Sequence, residues 1–148
     1  MGTPGAFVHY VVKVDAPPKV LWEKLVQKIR RPDLFVPGVT NVEVVKEFSE
    51  LSIERKMTVG GEKVVHELIT ADPLTQQVVF KTVTDSTFRG VVTNTMFEEG
   101  EDLYLDYTMN WMYLTGDGPD KRAEMQELIK NAVVHTKEVA EEAAKEAK

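Results

Sequence analysis

The 148-residue chain contains no cysteine. Disulfide frameworks, thiolate catalysis and sulfur-ligated zinc or iron–sulfur sites are therefore excluded, and a reducing, cytoplasmic setting is the expectation. Histidine is also scarce. His9, His66 and His135 are the three present, and no two have the His-x-x-x-His spacing of a metal pair, so no metal site is expected. No cofactor is expected either, because there is no dinucleotide fingerprint and no nucleophile elbow, and Gly60-Gly61 is followed by neither Lys-Ser/Thr nor a helix as a phosphate loop requires. No uninterrupted apolar run approaches membrane-spanning length, and Met1–Ala6 has neither a basic nor an apolar leader region, so membrane insertion is not expected. Eighteen basic residues against 24 acidic ones give a net charge of −6 and a pI near 5.1. The basic residues are scattered rather than striped, which argues against a nucleic-acid partner. None of this fixes an oligomeric state.

What is present is core material. Hydrophobic residues make up 43% of the chain, and no Gly/Ser-rich or Pro-rich stretch marks a linker, so residues 1–148 read as one domain. Residues 1–6 are expected to be a flexible lead-in, and the Ala/Glu/Lys-rich last turns to fray. A chain of this size buries roughly 68–70% of its unfolded surface and needs no staple.

From Phe7 to Val14 the apolar residues alternate, with Val8, Tyr10, Val12 and Val14 on one face of a strand. Pro17-Pro18 opens a helix with Trp22, Leu25, Val26 and Ile29 at helical spacing, and Pro32 ends it near Arg31. Beyond the proline-bracketed stretch 33–38 the period becomes two. Strands are predicted over Asn41–Phe48, Ser52–Gly60, Glu62–Thr70, Gln76–Thr84, Gly90–Glu98 and Leu103–Tyr113, with turn residues between them, Asp85-Ser86 included. The last strand carries the clearest signal: Leu103, Leu105, Tyr107, Met109, Trp111 and Tyr113 share one face, and Asp106, Thr108 and Asn110 share the other, predicted to meet solvent. From Asp120 onward there is neither Gly nor Pro. Met125, Leu128, Ala132, Val139 and Ala143, with Ile129 and Thr136 between, predict the apolar stripe of a long helix. The fold class expected is α+β: a seven-stranded curved antiparallel sheet, buried on one face, wrapped around the C-terminal helix.

That order, with Leu21-Trp-Glu-Lys-Leu25 after the opening strand, resembles the START and birch-pollen-allergen superfamily of helix-grip folds, also called SRPBCC or polyketide-cyclase-like. Leu34-Phe-Val-Pro-Gly38, Val91-Val-Thr-Asn-Thr95 and Leu103-Tyr-Leu-Asp-Tyr107 are similar to its AtaL-like branch. The resemblance implies a cavity between the sheet and the C-terminal helix, holding a small apolar or aromatic ligand. The expected lining is Phe35, Arg55, Met57, Phe80, Tyr107, Met109 and Trp111. The same aromatic stripe also suits plain core packing.

Arg55 alternates with Ile53, Met57 and Val59, so it points to the apolar side, where a guanidinium needs an anion. A two-residue turn at Gly60-Gly61 sets it on the face of His66, and a three-residue Gly-Gly-Glu loop sets it opposite Glu67. A ligand acid is the other possible partner. Arg55, His66, Glu67 and Tyr107 are the candidate catalytic groups if the protein is a cyclase, aromatase or lyase rather than a binding protein. A co-chaperone-like interaction module, the third class considered, requires an exposed apolar patch that the sequence does not single out.

Overall fold

The computed structural model describes residues 2–83, 87–114 and 116–147. The predicted end of one strand at Thr84 and the predicted turn at Asp85-Ser86 lie outside the described residues. Strand β1 (Gly5–Val14) leads into helix α1 (Pro18–Arg30) and a short 3-10 turn (Pro32–Leu34). Six consecutive strands follow: β2 (Val39–Ser49), β3 (Ser52–Val59), β4 (Lys63–Asp72), β5 (Gln77–Thr82), β6 (Phe88–Glu99) and β7 (Asp102–Tyr113). Helix α2 (Arg122–Glu146) closes the chain. Among the described residues the strands form one seven-stranded antiparallel sheet in the order β1-β7-β6-β5-β4-β3-β2, so the six consecutive strands make an uninterrupted meander and β1 docks beside its last member. No helix among the described residues is long and apolar enough to cross a membrane.

The register follows the period of two. Val8, Leu105, Met96, Val78, Ile69 and Ile53, from six different strands, are buried in one core together with Leu21, Leu25 and Ile29 of α1. Of the three residues predicted to meet solvent on the other face of β7, Asn110 is exposed, while Asp106 and Thr108 are half-buried. The strand lies between β1 and β6, and its outer side chains are screened by their neighbours: His9 Nδ1 stands 3.4 Å from Asp106, and Thr108 is hydrogen-bonded to Thr93.

One expectation needs correction. The buried line of α2 is Ile129, Val133, Thr136, Ala140 and Ala144, about one residue around the helix from the predicted stripe, and Leu128 is 52% exposed. The cause is placement. Helix α2 packs on β1, β7 and α1, toward one side of the sheet, so its Met125, Leu128 and Ala132 edge borders a cavity, with Met125 and Ala132 half-buried at the margin of the core. Ahead of β1, the Thr3 N–H donates to Gly118 O at 2.7 Å, the Gly118 N–H returns a bond to Thr3 O at 2.9 Å, and the Tyr113 N–H donates to Pro4 O at 2.8 Å.

Because α2 covers the apolar inner face of β1 and β7, ending the chain at Gly118 is expected to leave Val8, Leu105 and Tyr107 against water and to give an aggregating product. A truncated chain that stays monomeric in gel filtration and melts cooperatively would contradict this.

Candidate functional site

The overhang of α2 roofs a cavity of about 450 Å³ whose floor is the concave face of β3 to β7. Met57, Phe80, Val92, Met109 and Trp111 make most of its wall apolar. At one end lies a group of buried polar side chains: Lys28 from α1, Arg55 from β3, Glu67 from β4, Asn94 from β6 and Tyr107 from β7, all on the cavity lining.

Arg55 reaches this position through loop length. Val59 pairs with Lys63, which leaves Gly60, Gly61 and Glu62 as a three-residue connection, both glycines having positive φ (65° and 81°) that other residues adopt only with strain. Arg55 is therefore directly opposite Glu67, with Nη2 donating to Glu67 Oε1 at 3.0 Å. Its Nη1 donates to the Ile29 carbonyl at 2.8 Å and the Lys28 carbonyl at 3.2 Å, which belong to the last turn of α1, where carbonyls lack helical partners. The guanidinium is 2% exposed, and burial holds it below its ordinary pKa while Glu67 opposes that shift. It thus joins strand, strand and helix in one buried junction.

Lys28 occupies the position seven residues after Leu21 and three after Leu25, on the buried face of α1. Its Nζ donates to Asn94 Oδ1 at 2.5 Å and to Tyr107 Oη at 2.8 Å, and lies 4.2 Å from the centroid of the Tyr107 ring and 4.9 Å from that of Phe80. Burial first, and the Arg55 charge second, push its pKa down to about 7, against an upward pull from Glu67. The Thr136 hydroxyl donates to the Ala132 carbonyl at 3.1 Å, so the 2.7 Å contact between Tyr107 Oη and Thr136 Oγ1 has the phenol as donor. A directed relay results, from Lys28 through Tyr107 and Thr136 to a carbonyl of α2. Burial raises the Tyr107 pKa, so the phenol keeps its proton. Asn94 is fully buried and its Nδ2 has no partner among the described residues, and the same holds for Trp111 Nε1 and Arg55 Nε.

Of the residues singled out from sequence, Arg55, Met57, Glu67, Phe80, Tyr107, Met109 and Trp111 are brought together around the cavity. Phe35 is not among them: it is fully buried beside the 3-10 turn, and Pro32 and Val36 reach the lining in its place. His66 is not either, since it lies on the opposite face of β4 with Nε2 2.9 Å from Glu54 Oε2. Lys28, Asn94 and Thr136 were not among the predicted site residues. For Asn94 the signal was its place between Val92 and Met96 on the inner face of β6, and for Lys28 its helical spacing from Leu21 and Leu25. Among the described residues no group of three or more His, Asp or Glu side chains is arranged to hold a metal.

A curved sheet, a covering C-terminal helix and a lined cavity between them define the helix-grip class. The model of one family, described as acetylaranotin biosynthesis cluster protein L (AtaL), matches residues 18–147, and the chain belongs to that family. No curated protein sequence matches it significantly. The fold is similar to that of the Zhui aromatase/cyclase from Streptomyces sp. R1128, at 22% identity and a TM-score of 0.63, covering 95% of this chain and 90% of that one. It is also similar to ginseng major latex-like protein 151 from Panax ginseng, at 13% identity and a TM-score of 0.71 over 93% of this chain and 99% of that one. A protein from Thermus thermophilus, TTHA0849, matches at 17% identity and a TM-score of 0.71, covering 94% and 99% of the two chains.

Proposed function

We propose that this protein binds a small, flat, largely apolar molecule carrying at least one oxygen acceptor, in the cavity between the sheet and α2. The observation that carries the reading is the combination of an apolar wall with buried N–H donors on Asn94 and Trp111 that no protein group satisfies among the described residues. An unpaired buried donor costs about 1–3 kcal/mol, so a ligand oxygen that accepts from it gains both affinity and orientation. Aromatic and thioether side chains on the wall suit a planar ring system. Arg55 serves this reading as a structural member, because its charge is already matched by Glu67.

Cyclase, aromatase or lyase chemistry is the second reading. It draws on the Lys28 to Tyr107 relay, which places an amine that titrates near neutrality beside a protonated phenol on the cavity lining.

The binding reading is tested by isothermal titration with 2-naphthalenemethanol, alongside native mass spectrometry of freshly purified protein for any co-purifying molecule. Saturable one-to-one binding is expected, weakened at least about tenfold by Ala132→Phe, which fills the cavity from α2. No binding to the unaltered protein, or binding indifferent to Ala132→Phe, counts against it.

A further inference from the structure

Lys28 is a buried amine on the cavity wall whose hydrogen bonds match those of a neutral amine, although the Tyr107 and Phe80 rings beside it also accommodate its charged form. A neutral amine has two N–H bonds and one lone pair, whereas an ammonium ion has three N–H bonds to satisfy. Among the described residues the hydrogen-bonding partners of Lys28 Nζ are two, Asn94 Oδ1 and Tyr107 Oη, and both act as acceptors, since Tyr107 spends its own proton on Thr136. Two donors thus meet two acceptors and the lone pair stays free. The charged and titratable groups around it come from three strands: Arg55 on β3, Glu67 on β4 and Tyr107 on β7. Glu67, the anion of the set, is engaged by Arg55 and makes no ion pair with Lys28 among the described residues. A desolvated lysine beside a second cation, on the wall of an apolar cavity, is the arrangement that activates an amine toward carbonyl compounds.

We propose that Lys28 is a covalent anchor, its ε-amine condensing with an aldehyde or ketone held in the cavity to form a reversible imine. This inference rests on the cavity being a ligand site and adds the class of ligand. The nitrogen lone pair forms a bond to the carbonyl carbon, the C=O π electrons move to oxygen, and proton transfer from nitrogen to that oxygen leaves a neutral carbinolamine. The remaining nitrogen proton and the hydroxyl then leave together as water, and the C=N double bond forms. Addition of water reverses the sequence, with no change of oxidation state. Asn94 Nδ2, which has no partner among the described residues, is a donor for the oxygen as its charge develops.

The test is reductive trapping at pH 7 with 2-naphthaldehyde and sodium cyanoborohydride, followed by intact-mass measurement and peptide mapping. The expected result is one adduct per chain, with a mass gain equal to the aldehyde less one oxygen, located on Lys28 and formed at least about tenfold faster than on any surface lysine, whose amines are almost wholly protonated at that pH. Lys28→Arg, which keeps a cation but forms no imine, and Lys28→Met should both lose that adduct. Modification spread over surface lysines with Lys28 untouched overturns the proposal, and mapping of the unaltered protein gives that answer whether or not the variants fold. The alcohol 2-naphthalenemethanol separates the two levels: if it binds while the aldehyde leaves Lys28 unmodified, the covalent step is wrong and the binding reading stands. If neither compound is taken up, both fail.

Discussion

Arg55→Met is expected to lower the stability of the protein by about 3–5 kcal/mol, the usual consequence of removing one partner of a buried ion pair. The substitution keeps most of the side-chain volume, so the loss is electrostatic. Glu67, 8% exposed, is left as a carboxylate without its guanidinium, and the Ile29 and Lys28 carbonyls at the end of α1 lose their donor. Urea denaturation at pH 7 measures the effect. The double variant Arg55→Met/Glu67→Leu should recover most of the loss, because exchanging a whole buried pair for apolar side chains is often neutral or better. A single variant within about 1 kcal/mol of the parent would show that the junction contributes little.

The second large effect is a dependence of stability on pH. Lys28 has a folded-state pKa of about 7, well below the 10.5 of an unperturbed lysine. Between those values the unfolded chain binds a proton that the folded chain does not, so stability rises with pH across the window. Below pH 7 the amine is charged in both states and the full penalty for burying it applies; above about 10.5 it is neutral in both and the penalty is gone. Unfolding free energy should therefore increase from pH 7 to pH 10 with a slope on the order of 1 kcal/mol per pH unit attributable to this residue. Subtracting the same curve for Lys28→Met isolates it, since the other titrating groups are common to both proteins. Parallel curves would mean that Lys28 is solvated or fully ion-paired in the folded protein.

The architecture was legible because its elements differ in period. β7 alternates without a break from Leu103 to Tyr113, and the shift from period two to helical spacing at Asp120 marks α2. The rotation of α2 was less legible. Alanine, valine and threonine surround much of that helix, and a stripe drawn through Leu128 is as apolar as one drawn through Val133. Only the sideways placement of the helix on β1 and β7 decides between them, and that is a tertiary fact. At the site, Arg55 stood out because a charge on an apolar face is conspicuous. Lys28 did not, because a lysine in an amphipathic helix rich in lysine and arginine reads as solvent-facing until its angle from Leu21 is counted. His66 and Glu67 were alternatives separated by one residue of loop, which a period of two alone does not resolve.

That loop makes the chemistry of the cavity a question of parity. With Gly60, Gly61 and Glu62 between the paired ends, every odd-numbered side chain from Val65 to Ala71 turns inward and every even-numbered one outward, so the interior receives a carboxylate and the exterior an imidazole. An even count would exchange them and strand the guanidinium opposite a histidine. The identity of the buried counter-charge is thus written in how many residues the connection has as well as in which residues they are, and a lineage that lengthened or shortened it by one would have to rewrite the whole of β4 in the same step.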